Sequence, residues 1–285
     1  MKLPAFEYAC PASLAEAVAL LASGDGDAKA LAGGQSLVPM MAFRVASPSL
    51  LVDLRKLTEL RRIEITKDGV CLGAMARWRD IEDDARLDTA HPLLKAAIAH
   101  VAHYQIRNRG TVGGSVAHAD PAAEMPGIAV ACDAEIAVVG SAGSRVIKAG
   151  DFFIAPLTTT LTADEIIVEI RLPAWPATRR WGFQEFSRRR GDFAMAATAV
   201  FYDVDASGKA HNAHIGAIGV GDRPTRLAAA EAEVNGKLVD VATTERAGLA
   251  ASAAVNPNDD IHASGAYRRS LIGTLVERAL QSACA

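Results

Sequence analysis

Arg109-Gly110-Thr111-Val112-Gly113-Gly114-Ser115 is small, polar and glycine-paired, and it follows a helical pattern. An upstream stretch, Leu31-Ala32-Gly33-Gly34-Gln35-Ser36-Leu37, has the same character and joins a strand to the start of a helix. Glycine lets the backbone take a positive φ and puts no side chain between main chain and ligand. N–H groups at a helix start favour an anion, and the Ser36 hydroxyl adds a donor. Two such loops closing from both sides suit a pyrophosphate. Hydrogen bonds to a charged group contribute roughly 1.5–3 kcal/mol each, so four supply about 6–12 kcal/mol gross. Either loop alone reads more simply as a turn after a strand. Neither fits G-x-G-x-x-G, and no P-loop G-K-[ST] is present, which sets aside a Rossmann site and a nucleotide triphosphatase. Spacing alone therefore points to a nucleotide-like ligand and no further.

Upstream of the second loop the pattern predicts a small α/β unit. Ser13-Leu14-Ala15-Glu16 is a capping box opening a helix with Leu14, Val18, Leu20 and Leu21 on its apolar face, ending near Gly24. Residues 28–32 and 49–54 read as strands. Ser36 is placed to cap a second helix over Leu37 to Val45, with Pro39 tolerated in its first turn, and Met40-Met41 are assigned to the core of this unit. Beyond Arg55 the pattern changes. Short alternating strands flank an Asp68-Gly69 turn, a helix is predicted over Pro92 to Tyr104, and the glycine-rich stretch leads to strands near 135–139, 145–148 and 165–172. Pro173-Ala174-Trp175-Pro176 reads as a linker. Three strands follow, over 180–186, 194–203 and 210–220, and then helices near 224–234, 242–254 and 263–283. The expected division is 1–55, 56–175 and 177–285, within an α+β fold.

Composition excludes several classes. The 285 residues, 50% hydrophobic and 22% charged, describe an ordinary globular chain. A net charge of −3 leaves no field of cations for nucleic acid, and Arg188-Arg189-Arg190 reads as a local, solvated cluster. No apolar run has the length of a membrane span and no signal peptide is visible, so no membrane span and a cytoplasmic location are expected. Cys10, Cys71, Cys132 and Cys284 are far apart, without C-x-x-C, and read as reduced, mostly buried residues rather than ligands to zinc or an iron–sulfur cluster. His100 and His103 share a helix without a third ligand. His211 and His214 sit at an odd offset in a strand and should face opposite ways. No metal site and no catalytic triad or carboxylate pair stands out.

At the two loops the chain resembles a known family. Leu31–Leu37 followed by Pro39, and the run Gln105-Ile106-Arg107-Asn108-Arg109-Gly110-Thr111-Val112-Gly113-Gly114-Ser115 continuing through Ala117-His118-Ala119-Asp120-Pro121-Ala122-Ala123-Glu124, resemble the two FAD signatures of the medium subunit of molybdenum hydroxylases. That group includes carbon monoxide dehydrogenase, xanthine dehydrogenase and bacterial nicotine and N-heterocycle hydroxylases. Arg190-Gly191-Asp192-Phe193-Ala194 and Tyr267-Arg268-Arg269 resemble its C-terminal domain, so the resemblance spans almost the whole chain.

The resemblance implies a two-part FAD-binding module of vanillyl-alcohol-oxidase (PCMH) type, followed by a three-stranded antiparallel sheet packed with helices. It implies that Lys29, Ala30, Leu31, Ala32, Gly33, Gly34, Gln35 and Ser36, with Thr111, Val112, Gly113, Gly114 and Ser115, wrap the FAD pyrophosphate and adjoining groups. Asp120 and Glu124 would lie near ribityl or sugar hydroxyls, Ile167 near the adenine, and Phe183 and Gln184 at another part of FAD. His118 lies inside the second signature, near the flavin. There are departures: relatives often carry Lys at or beside Gln184 or Glu185, Asp in place of Glu124, and Asn in place of Ser115. Implied partners are a large molybdopterin subunit and a small iron–sulfur subunit, in a dimer of heterotrimers. The implied function is electron transfer, from the iron–sulfur clusters to FAD and on to an external acceptor. The competing readings are a stand-alone flavin oxidase or reductase of related fold, and an assembly subunit that has lost its flavin.

Overall fold

The computed structural model describes residues 2–283. Cys284 lies outside them, while Cys132 is buried and Cys10 and Cys71 are half-buried free thiols. The chain opens with β1 (Glu7–Ala9), α1 (Leu14–Ser23), β2 (Ala28–Leu31), α2 (Leu37–Ala42) and β3 (Leu50–Asp53). The three strands form a parallel sheet in the order β1-β3-β2. Ser13 caps α1 by accepting from the Glu16 N–H at 3.2 Å, and the Glu16 carboxylate returns to the Ala12 N–H at 2.8 Å. α1 lays Ala17, Val18 and Leu21 onto a core that includes Val52, Leu54 and Leu57. Met41 is fully buried and Met40 half-buried. α2 ends earlier than its sequence predicts, because Arg44 takes φ 63° and the Val45 N–H turns back to the Met40 carbonyl at 2.9 Å.

The middle of the chain supplies β4 (Ile63–Thr66), β5 (Gly69–Gly73), α3 (Trp78–Asp83), α4 (Leu87–Ala90), α5 (Pro92–Ile98), α6 (Tyr104–Arg107), α7 (Val112–His118), α8 (Glu124–Ala131), β6 (Glu135–Gly140), β7 (Gly143–Lys148), α9 (Ala149–Phe152), β8 (Phe153–Ala155), β9 (Thr158–Thr159) and β10 (Ile166–Pro173). β4-β5-β10-β6-β7 form one antiparallel sheet, with the Asp68-Gly69 hairpin where it was expected. Its core joins Leu72, Ile136 and Ile170 to Leu93, Ile98, Val112 and Ile128 from the helices.

Two predictions fail here for physical reasons. The helix expected over 92–104 breaks after Ile98: Ala102 takes φ 42°, and the Arg107 guanidinium occupies the freed carbonyls of Val101 and Ala102, both at 3.0 Å. The glycine-rich stretch, expected to be loop, contains α7 and α8. Every residue of α8 is buried, so it shows no polar face for a sequence pattern to detect.

The last part comprises β11 (Arg180–Phe186), β12 (Ala196–Val204), β13 (Ala210–Ile218), β14 (Thr225–Arg226), α10 (Ala228–Val234), α11 (Val241–Ala254) and α12 (Gly265–Ala283). The sheet is four-stranded, β11-β12-β13-β14, not three-stranded. The extra strand takes residues assigned to the next helix. Arg226 is held out by Glu231 at 2.8 Å and Asp133 at 2.8 Å, and the helix starts only at Ala228. Pro173–Pro176 is not a free linker. Pro173 ends β10, and the Trp175 ring packs 4.5 Å from His91 and 5.2 Å from Phe201.

Helices α10 and α12 pack on one face of this sheet, with α11 against both of them; α5 and α8 take the other face. Strand alternation sorts β11 accordingly. Phe183 and Glu185 look towards His100, with ring centroids 5.1 Å apart for Phe183. Gly182, Gln184 and Phe186 look towards α12, where Phe186 meets Tyr267 at 6.2 Å. A Cβ on Gly182 would stand 2.2 Å from the Ala279 carbonyl oxygen, a backbone atom that cannot yield. Gly182→Ala should therefore lower stability by about 1–3 kcal/mol, seen as a lower urea midpoint with an unchanged m-value. An unaltered midpoint would mean that α12 is free to move off the sheet.

Candidate functional site

The two glycine loops meet. A Cβ on Gly33 would lie 2.2 Å from the Arg109 carbonyl oxygen and 2.9 Å from the Gly110 Cα, so the first loop rests on the backbone of the second. Gly34 takes φ +72°, which turns the chain from β2 into α2. The second loop is seated on the antiparallel sheet in turn: a Cβ on Gly113 would come 2.5 Å from the Ala74 Cβ. A Cβ on Gly114 would stand 3.5 Å from the Ala32 Cβ of the first loop and 2.7 Å from Thr111 Oγ1.

The loops differ in what they offer a ligand. In the second, the Val112 N–H goes to the Ala76 carbonyl at 2.9 Å, that of Gly113 to Ala74 at 2.8 Å, and that of Ser115 to Thr111 at 3.0 Å. The Gly114 N–H goes to Thr111 Oγ1 at 3.2 Å, since Thr111 caps α7. These amides are already engaged. In the first loop, among the described residues, no acceptor is found for the N–H groups of Gly33, Gly34, Gln35 and Ser36. All four residues are half-buried. Ser36 does not cap α2 as expected: its backbone is helical and its hydroxyl makes no capping bond. The first loop thus presents donors, and the second presents a wall without side chains. The arrangement fits a phosphate-bearing group held by backbone dipoles.

The other sequence-predicted residues scatter around this core. Lys29 and Ala30 are exposed on β2, and Leu31 and Ala32 are half-buried. Ile167 is 5% exposed, inside the main core and paired with Val138 in the sheet. Phe183 and Gln184 are on opposite faces of β11, so the structure does not bring their side chains together. Asp120 Oδ1 accepts the Ala122 N–H at 2.8 Å and lies beside a cavity of about 650 Å³. His118 is half-buried, with burial pulling its pKa below the ordinary histidine value against the charge of Asp120.

The cavity also gathers the two C-terminal motifs. Gly191, Asp192, Phe193 and Ala194 line it from one side and Arg268 from another. Arg268 is buried and donates to the carbonyls of Met195 at 2.6 Å and Gly219 at 3.0 Å, and to Asp260 at 2.6 Å. Arg188, Arg189 and Arg190 are exposed. His211 is exposed and His214 buried, so they do face opposite ways.

Glu185, noted in the sequence only as a departure from relatives, proves to be a buried acid. Its side chain is 2% exposed, Oε2 has no partner among the described residues, and Oε1 lies 3.6 Å from His100 Nδ1. Glu124, at the start of α8, is 5% exposed. Burial, and then the charge of Glu185, push the Glu124 carboxyl up to about 8. The signal was present in the strand pattern, where an acidic residue continues the inward series after Trp181 and Phe183. Among the described residues no group of three His, Cys, Asp or Glu side chains is placed to hold a metal ion, and no helix is long and apolar enough to cross a membrane.

Comparison with known proteins agrees with this geometry. A family profile described as the FAD binding domain in molybdopterin dehydrogenase matches residues 4–175, and one described as the CO dehydrogenase flavoprotein C-terminal domain matches 181–283. The chain is 40% identical to the nicotine 6-hydroxylase medium subunit of Paenarthrobacter nicotinovorans, over 99% of both chains. It is 36% identical to the carbon monoxide dehydrogenase medium chain of Hydrogenophaga pseudoflava, over 99% of this chain and 98% of that one. In structure it is similar to the carbon monoxide dehydrogenase of H. pseudoflava, with a TM-score of 0.96 at 37% identity over 100% of this chain and 99% of that one. It is also similar to quinoline 2-oxidoreductase from Pseudomonas putida 86, with a TM-score of 0.94 at 39% identity over 99% and 98%.

The Glu124 carboxyl makes stability depend on pH. Its proton is held up to about pH 8 in the folded chain but released near 4.5 when unfolded. Between those values the native state binds the extra proton, so stability falls as pH rises. Glu124→Gln removes that slope. Between about pH 5.5 and about pH 8.5 the wild type should lose on the order of a few kcal/mol more than the variant in urea titrations. Parallel losses would show that Glu124 titrates as it does in water.

Proposed function

The chain belongs to the FAD-binding medium subunits of the molybdenum hydroxylase family, and from that premise we propose that it is the electron-transfer subunit of a larger oxidoreductase. In this reading it takes electrons from iron–sulfur clusters on a small partner chain and passes them to an external acceptor. Oxidation of the substrate takes place at a molybdopterin centre on a large partner chain. The assembly is a dimer of heterotrimers. The chain divides into FAD-binding parts at 1–55 and 56–175, together of vanillyl-alcohol-oxidase (PCMH) type, and a C-terminal part at 177–285.

The observation that carries the proposal is the set of amides at Gly33, Gly34, Gln35 and Ser36 without acceptors among the described residues, in a loop that rests on the backbone of Arg109 and Gly110 and meets Gly114 through Ala32. These amides hold the diphosphate and the Ser36 hydroxyl adds a donor, while Thr111 keeps α7 wound so that the wall stands still. Lys29 to Ala32 and Ser115 flank the same group, and the Ile167 backbone borders the adenine. Asp120 and the neighbouring cavity receive the redox-active end, with Glu124, Phe183 and Gln184 around it. When bound, the flavin supplies redox chemistry that amino-acid side chains lack. The protein's own part is to position the cofactor, exclude water and set the local charge. The buried Glu124–Glu185 pair does the last of these.

Purified with its neighbours, the chain should be yellow and should bring down two further subunits; a folded, colourless chain that takes up no FAD overturns the proposal. Within the site, Gly114→Val should cut FAD content at least about tenfold, the worth of roughly one charged hydrogen bond, with an unchanged far-UV spectrum. Thr111→Val serves as the control, because it removes the α7 cap without filling the cradle. Equal flavin loss in the two variants would trace the effect to the cap and not to the cradle.

A further inference from the structure

Glu185, Ala197 and Ile218 are paired in register across β11, β12 and β13, so their side chains leave the sheet on one face. That face is turned to α8, where a Cβ on Gly127 would lie 2.2 Å from Ile218 Cγ1. Glu124 stands one turn before Gly127 on the same helix. Both carboxyls therefore border the dry patch made by Ala197, Ile218 and Phe183. Glu124 also feels the charge of Asp120, which lines the larger cavity. On the far side, Glu185 Oε1 lies 3.6 Å from His100 Nδ1, and the His100 side chain is 41% exposed. The His100 ring is held in place by Phe183, with centroids 5.1 Å apart. Protonatable groups thus run from solvent at His100, through Glu185 and Glu124, to Asp120 at the cavity.

A purely structural role leaves the two buried acids unexplained. Glu185 Oε2 has no partner among the described residues, and no Lys or Arg among them pairs with either acid. A buried polar group left unpaired is rare and calls for a reason. Two carboxyls in one low-dielectric space hold a proton more readily than two charges. Burial first, and then the charges of Glu185 and Asp120, push the Glu124 carboxyl up to about 8, against the pull of its own backbone N–H. The other titratable group at the inner end is His118, which burial holds below the ordinary histidine value. Near neutral pH Glu124 therefore keeps a proton that it is close to releasing, the condition for passing one on.

We propose that His100, Glu185, Glu124 and Asp120 form a proton relay between solvent and the larger cavity, so that charge brought there by an electron is matched by a proton. The relay rests on the electron-transfer reading given above. As an electron arrives from the iron–sulfur partner, the Glu124 O–H bond breaks and its proton passes by way of Asp120 to the reduced group in the cavity. A proton from solvent enters on His100, crosses Glu185 and re-forms the Glu124 O–H bond. One electron and one proton have then entered the cavity, and all four side chains are as they began. Oxidation runs the same steps outwards.

Ferricyanide takes electrons but no protons, so it tests the relay on the pre-reduced assembly in weak buffer, with a pH-indicator dye read beside the flavin absorbance. In the wild type, proton release should keep step with flavin oxidation. Glu185→Gln keeps the shape of the side chain without its exchangeable acid proton. Release should then lag by at least about tenfold, less than the usual worth of a positioned proton carrier, while flavin oxidation keeps its rate. His100→Gln, at a half-exposed position, should cause the same kind of lag, and free imidazole should shorten it. Should Glu185→Gln fail to fold, the His100 variant and its rescue decide the matter. A second arm needs no cofactor. In the flavin-free chain near neutral pH, Glu124→Gln should remove one infrared band of a protonated carboxyl, and that band should exchange with deuterium more slowly in His100→Gln than in the wild type. A chain that takes up no FAD sinks the electron-transfer reading and leaves the band to decide the relay. Release in step with oxidation in both variants, a His100→Gln lag that imidazole does not shorten, or no carboxyl band lost in Glu124→Gln would each overturn the proposal.

Discussion

The contact between the Gly33 Cα and the backbone of Arg109 and Gly110 is the constraint from which the candidate site follows. No other residue fits there, because any β-carbon would overlap a carbonyl oxygen. The second loop cannot retreat, since Gly113 is pressed onto Ala74 where the antiparallel sheet ends. The parallel sheet is thus docked, through one turn, onto a surface fixed by the main core. Docking leaves the amides of Gly33 to Ser36 without acceptors among the described residues, and the sharp turn at Gly34 starts α2 too late for those amides to find helical acceptors. A cradle is what remains when two backbones are packed this closely.

Much of the fold was legible wherever one face of an element is apolar and the other wet. The capping box at Ser13 opens a helix that buries only Ala17, Val18 and Leu21, and the strand 63–66 before the Asp68-Gly69 turn alternates half-buried and exposed residues. What escaped did so for identifiable reasons. α8 is buried all round and has no polar stripe. The break after Ile98 is made by Arg107, a residue beyond the break whose guanidinium replaces helical partners. β14 is two residues long, too short to show a period, and exists because Arg226 is drawn to Asp133 and Glu231.

The site was legible in its glycines but not in its division of labour. Sequence alone makes the two loops look equivalent. In space, the carbonyls of Ala74 and Ala76, supplied by the end of a distant strand, consume the second loop's amides. Glu185 illustrates the opposite case, where the pattern was present and went unused. Once Trp181 and Phe183 are taken as inward-facing, the next inward position holds a carboxylate. Its burial beside Glu124 places two acids in one low-dielectric space, which cannot hold both charges cheaply.

In the proposed reading the first loop would hold a phosphate with peptide dipoles, and mobile cations would play little part. Dipoles fixed in the main chain are not displaced by counterions, and a partly enclosed contact is screened far less than one between surface charges. A phosphate held by lysines is shed as ionic strength climbs, because salt competes for both partners. A cofactor seated at Gly33–Ser36 would leave little for salt to compete with, and would stay in place across brines that strip a lysine-bound nucleotide.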